Sequence, residues 1–190
     1  MELPSEIQSI LDQLDSAEAD AHSLVTGLAD DLASWSPAPG SWSISECIHH
    51  LALTNSIYIE AMEPAALRAR RSGRLRKRPA LPGFVGSWFL RSIEPPAKSR
   101  FKAPRTIQPN TATPLAEALA AFLASQLRVR EFIRSNADLD LASIHFRNPF
   151  IPGVRFSLAT GLHVIPAHER RHLWQSRKVR QQAEASTHSG

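Results

Sequence analysis

Apolar residues recur at positions 7, 10, 11, 14, 17, 21, 24, 25 and 28, a spacing that gathers them onto one face of an α-helix of about seven turns. A strand would need alternation by twos, so this stretch, and the later ones that share its rhythm, restrict the chain to packed helices. The first helix is expected over 5–32. The loop that follows, Ser34-Trp35-Ser36-Pro37-Ala38-Pro39-Gly40-Ser41, is marked by its Pro, Gly and Ser content.

The second helix has the clearest start. Ser43 and Glu46 have the spacing of a capping box, in which each side chain satisfies a backbone N–H that the first turn leaves unpaired. Trp42 and Cys47 occupy hydrophobic-staple positions. The seam then reads Ile44, Ile48, Leu51, Asn55, Tyr58 and Met62 until Pro64, which lacks a donor and crowds the preceding turn, so a kink or break is expected there.

Residues 71–83 read as an exposed basic loop, and Phe84 to Ile93 as a short apolar helix lying against the others. From Glu94 to Pro114 the density of Pro implies an extended crossover. Thr113-Pro114 supplies an N-cap and first helical position, opening a helix over 114–135 whose buried stripe is Leu115, Leu119, Phe122, Leu123, Leu127 and Phe132. Residues 136–153 read as loop, and a last helix is expected from near Ser157 to about 181. One domain over 1–182, followed by a disordered tail over 183–190, fits the length.

Composition narrows the chemistry. Eight Gly and one Tyr among many Ala and Leu favour an all-α fold, with the fourteen Pro assigned to caps and loops. Cys47 is the only cysteine, which excludes an intrachain disulfide and any thiolate-rich metal site, and is itself read as a buried small apolar residue. Histidine must therefore carry any transition-metal chemistry. The acidic, polar start Met1-Glu2-Leu3-Pro4-Ser5-Glu6 is unlike a secretory signal, and no apolar run is long enough to span a bilayer, so a cytoplasmic protein without a membrane partner is expected.

The net charge of +4 is one local patch: Arg68, Arg70, Arg71, Arg74, Arg76, Lys77 and Arg78 lie within a stretch free of acids, and the remainder is slightly acidic. No base-stacking aromatics interleave with this run and no recognition motif accompanies it. A solvated loop, able to attract an anionic substrate or a partner surface, is favoured over a nucleic-acid contact.

His168 and His172 are four residues apart, about 40° around a helix and about 6 Å along it, close enough to share one metal ion. Their helical phase is that of Leu158, Leu162 and Ile165, the core-facing arc, and Gly161 on the same arc leaves space beside them for a ligand or another helix. Pro166 is expected to bend the helix just before the pair. In the tandem His49-His50, His50 shares a flank with Cys47 and Thr54 and is the more inward of the two. Two readings stand at this point: a metal site, or hydrogen-bonded core or interface histidines. His22, His145, His163 and His188 have no such partner and read as surface or loop residues.

The segment from Trp35 to Leu51, with Trp35-Ser36-Pro37, Trp42-Ser43-Ile44 and His50-Leu51, resembles the Trp-x-Pro-x-x-x-x-Trp-Ser-Ile-x-x-x-x-x-His-Leu signature of the DinB-like superfamily. His168-Glu169-Arg170-Arg171-His172-Leu173-Trp174-Gln175 is similar to its C-terminal His-x-x-x-His-x-x-Gln motif, and Phe101-Lys102-Ala103-Pro104 with Pro109 is similar to its crossover. The resemblance spans roughly residues 30–175. It implies a four-helix bundle with one long crossover connection, here with a short extra helix, often dimeric, holding a divalent metal between helices. Carried over by position, the metal ligands are His50, His168 and His172. Leu173-Trp174 stands where many relatives have Arg-Gly.

The resemblance also implies a metal-dependent enzyme acting on a small molecule, either a hydrolase or an S-transferase using a low-molecular-weight thiol, with Zn or Ni at a site that keeps an open position. No carboxylate is assigned as general base. Glu46 is occupied in its cap, and Glu169 is placed to accept from a ligand imidazole. The competing reading is a non-catalytic metal-binding or protein-interaction bundle in a stress response, with the Arg loop and Trp88-Phe89-Leu90 as its interface.

Overall fold

A computed structural model describes residues 3–96 and 104–187. Four long helices, α1 (Ser5–Val25), α3 (Ile44–Arg71), α5 (Leu115–Asn136) and α6 (Leu158–Thr187), are joined by the short α2 (Asp30–Ser34) and α4 (Phe84–Ile93). A single 3₁₀ turn (Arg105–Ile107) and a hairpin of β1 (His145–Arg147) and β2 (Arg155–Ser157) complete the fold.

The long helices form a bundle in which α3 packs on α5 and α6, and α1 packs on α6 and α5, so that α1 lies diagonally opposite α3. Their directions follow from the cross-helix contacts. Asn55 meets Ser125, Arg128 lies near Glu60 and Glu63, and Arg70 reaches Asp138, so α3 and α5 run parallel. Gln13, Asp20 and Leu24 meet Arg170, Arg177 and Arg180 in the same order, so α1 and α6 are also parallel. His50 against His168 and Met62 against Gly161 make α3 and α6 antiparallel. Parallel neighbours need a connection as long as the bundle, which is the physical reason for the crossover between α3 and α5.

The core is divided along the bundle axis. One apolar cluster gathers Ile7, Ile10, Leu14, Tyr58, Met62, Ile133, Phe146 and Leu162; the other gathers Ala21, Leu24, Ile48, Leu51, Phe122 and Leu173. Between them α3, α5 and α6 contribute polar groups, Thr54 and Asn55, Ser125, Gln126 and Arg130, and His168 to His172, and the exposed Asp15 of α1 reaches Arg130 from the rim. This mid-height polar layer positions the site.

Several local expectations change. The first helix ends at Val25 rather than 32, because Gly27 turns the chain with φ 68°, and α2 restarts at Asp30. No break occurs at Pro64: α3 continues to Arg71, with Pro64 exposed and Met62, Ala65, Ala66 and Ala69 buried around it, so packing outweighs the lost donor. α6 likewise continues through Pro166, and it runs to Thr187 with Ala183 buried, further than 181. Leu127 is 67 % exposed; the inward face of α5 instead carries Ala118, Phe122, Ser125, Gln126, Val129, Arg130 and Ile133. α5 begins one residue late, at Leu115, with Pro114 as its N-cap.

The 136–153 loop holds strand β1, which pairs antiparallel with β2 and sets Phe146 opposite Phe156, both buried. Asn148 closes the turn by accepting from the backbone N–H groups of Phe150 and Ile151. The crossover segment 94–114 lacks regular structure apart from the 3₁₀ turn; the part over 97–103 lies outside the described residues. No helix among the described residues is long and apolar enough to cross a membrane.

Candidate metal centre

The start of α3 sets the first histidine. Ser43 Oγ accepts from Glu46 N–H at 3.2 Å and Glu46 Oε2 accepts from Ser43 N–H at 2.8 Å, so the capping box is complete. Two turns on, His50 is 2 % exposed and its Nδ1 lies 2.7 Å from the carbonyl oxygen of Ile107. A carbonyl only accepts, so Nδ1 carries the proton and the Nε2 lone pair is directed away from the crossover. That Nε2 lies 3.3 Å from His168 Nε2.

His172 completes the group. Ring centroids are 4.5 Å apart for His168–His172, 4.6 Å for His50–His172 and 5.1 Å for His50–His168. One ring nitrogen from each residue falls within 4.8 Å of the other two. Trp42 lies against the group, its ring 4.6 Å from that of His50 and 5.6 Å from that of His172.

Electrostatics favour uncharged rings. Burial pushes His50 down to about 4, and burial followed by the neighbouring imidazoles or Arg171 holds His168 and His172 well below the usual histidine range. Three neutral imidazoles are a donor set for a borderline divalent cation. His168 Nδ1 and His172 Nδ1 are buried without a hydrogen-bond partner, so the three histidines do not close into a satisfied hydrogen-bond network of their own. The residues present therefore fit a metal, and the alternative of fully hydrogen-bonded core histidines leaves those atoms unexplained.

The tandem histidines divide their work. His49 turns from the cluster, and its Nδ1 accepts from Asn110 N–H at 3.2 Å and lies 3.3 Å from Thr113 Oγ1. Both histidines thus hold the crossover, and the Thr113 hydroxyl expected to cap α5 faces His49 instead.

Glu169 does not serve an imidazole. It is fully buried, and its two oxygens accept from Asn55 Nδ2 at 2.8 Å and Gln126 Nε2 at 2.9 Å. Gln126 Oε1 in turn accepts from Arg130, which is paired with Asp15 and Glu18. Burial raises the Glu169 carboxyl to about 8. This network joins α3, α5 and α6 beside the histidines. Its sequence signal was the spacing of Gln126 and Arg130 on the inward phase of α5.

Gly161 serves packing. A Cβ there would come within 2.7 Å of Met62 Sδ and 2.9 Å of the Phe146 ring, so the space beside it is filled by α3 and β1. Cys47 is fully buried and its thiol is pushed up to about 12 by burial. His22 and His145 are exposed. His163 is half-buried on α6, with Nε2 3.1 Å from the Ala80 carbonyl oxygen, contrary to its reading as a surface residue; His188 lies outside the described residues.

A four-helix bundle whose central polar layer converges three neutral histidines has the build of a helical metalloprotein. The chain belongs to the DinB superfamily, whose family model matches residues 13–176, a range that includes all three histidines. Among solved structures it is similar to YfiT from Bacillus subtilis, described as a probable metal-dependent hydrolase with an unusual four-helix bundle topology. The two share 15 % identity and a TM-score of 0.61 over 95 % of this chain and 89 % of that one, a likeness of fold. No curated protein matches this chain in sequence.

Proposed function

We propose that this protein is a divalent-metal-dependent hydrolase of a small-molecule substrate, with His50, His168 and His172 holding Zn or Ni. The observation that carries the reading is the convergence of three neutral imidazoles, His50 and His172 buried and His168 half-buried, two of them with an unpartnered ring nitrogen. The description of YfiT as a probable metal-dependent hydrolase supports the reaction class.

A divalent cation held by three protein ligands supplies Lewis acidity at its open position, toward a water, a thiol or a substrate oxygen. The chain's own groups prepare that position. The Ile107 carbonyl fixes the tautomer and rotation of His50, and Trp42 shields one side of His50 and His172 from solvent. The Glu169 network holds α6 against α3 and α5, which fixes the height at which His168 and His172 meet His50. No carboxylate oxygen joins the three-nitrogen group among the described residues, so the group itself offers nitrogen donors only.

Metal content of protein purified without chelator or a nickel-charged column, followed by turnover of activated esters and amides, tests the reading. About one metal per chain is expected, with hydrolysis lost on chelation and restored by Zn or Ni. Protein without metal overturns it. Turnover that appears only with an added low-molecular-weight thiol reassigns the site to an S-transferase.

A further inference from the structure

We infer that α4 and the basic loop before it form a peripheral docking surface for an anionic lipid bilayer, a contact that departs from the expectation of no membrane partner because that expectation rested on the lack of a spanning segment alone. Between Pro64 and Ile93 the chain has no acidic residue and eight cations. Arg70, Arg76 and Arg78 are paired with Asp138, Glu6 and Asp140. Arg71, Arg74, Lys77 and Arg91 are exposed and make no ion pair with a described residue. Of the seven large apolar side chains exposed among the described residues, six lie in this same stretch, with Phe84 at 86 %, Val85 at 64 % and Trp88 at 63 %.

The surface is rigidly presented. Arg76 N–H donates to the Asp138 carbonyl at 2.8 Å, and Asp140 N–H donates to that of Arg74 at 3.1 Å. Ala80 is held on both sides, its N–H donating to Glu6 and its carbonyl lying against His163. The inner face of α4 is anchored by Gly86 against Thr160 and by Phe89, whose ring lies 5.2 Å from that of Phe156 in a tilted contact. Phe84, Trp88 and Arg91, spaced four and three residues apart, are left pointing outward.

The form of the surface selects the partner. Its apolar side chains project outward, whereas a peptide helix docks into a groove, and the depression nearby is shallow and lined by Arg76, Lys77, Arg78 and Pro79. A second copy is disfavoured because a two-fold contact would set this acid-free cationic face against itself. Phe84 and Trp88 could stack on bases, but the aliphatic Leu75, Leu81 and Val85 exposed beside them could not, whereas a bilayer buries all five, which favours lipid over a nucleic acid. Protruding Trp, Phe and aliphatic side chains framed by Arg and Lys match the headgroup region of a bilayer that carries anionic lipid.

Flotation of the intact chain with phosphatidylcholine vesicles, with and without phosphatidylserine, tests this. Binding is expected only to the phosphatidylserine vesicles, with a blue shift in fluorescence that is absent from Trp88→Phe, and release at high salt. Phe84→Ser with Trp88→Ser is expected to weaken binding by roughly tenfold or more. Arg74→Ala with Lys77→Ala is expected to weaken it by roughly thirtyfold, and a thermal melt confirms that each variant is folded. Failure to bind these vesicles overturns the inference, as does unchanged binding by both folded variants. Binding to a single-stranded oligonucleotide in place of vesicles, or a dimer that the Phe84/Trp88 variant dissociates, assigns the surface elsewhere and equally overturns it.

Discussion

His50 Nε2 and His168 Nε2 lie 3.3 Å apart across the α3–α6 interface, although the residues are 118 positions apart in the chain. Proton sharing satisfies one such contact, but it leaves the buried Nδ1 atoms of His168 and His172 unpartnered. Replacing His168 and His172 by Ala is expected to lower metal affinity by more than about 100-fold, beyond the effect of losing an outer-shell partner. Equilibrium dialysis with Zn measures it, and affinity within tenfold of the parent would remove these residues from the ligand set.

The metal-free protein is expected to lose stability on acidification. An unfolded imidazole titrates near its ordinary value of about 6.5, whereas folded His50 titrates at about 4. Between these values the unfolded chain binds more protons, so stability rises with pH across the window. His50 alone accounts for a loss of about 3 kcal/mol by the bottom of it. Urea melts of chelated protein at a series of pH values should show this slope, and His50→Asn should reduce it, leaving the part that His168 and His172 contribute.

Glu169 contributes in the opposite sense. Its folded value of about 8 lies above that of an unfolded carboxyl, so the native state binds more protons between the two and this contribution to stability falls as pH rises. Glu169→Gln removes that slope and turns one acceptor into a donor facing Asn55 or Gln126, at a cost of about 1–3 kcal/mol near pH 5. Melts of both proteins from about pH 5 up to about pH 8 test the pair of effects. Parallel curves would contradict the assignment.

Gly161→Ala should destabilise the bundle despite the better helix propensity of Ala. Its Cβ would meet Met62 Sδ at 2.7 Å and Phe146 at 2.9 Å, and overpacking of about 1–3 kcal/mol exceeds a propensity gain of about 1 kcal/mol. Phe146→Leu in the same chain should restore part of the loss in a thermal melt, a recovery that a backbone effect alone would not show.

The capped start of α3, the apolar stripes and the inward phase of His168 and His172 were legible because each rests on interactions within a few turns of one helix. The stripe of α5 was misread at Leu127. Apolar character alone ranked Leu127 above Gln126 and Arg130, yet those polar groups are buried because Glu169, Asp15 and Glu18 satisfy them from other helices. The helix does not break at Pro64 for a related reason: the packing that carries α3 past it comes from distant parts of the chain.

The sequence by itself determined the four long helices, the long crossover and the histidines available to a metal, since periodicity, capping and Pro content act locally. Only the tertiary structure decided that α3 and α5 run parallel, that Ile107 orients His50, that Trp42 covers the cluster, and that a polar layer divides the core. Each of these depends on a partner tens of residues away, and helical phase specifies which face is buried without specifying what will face it.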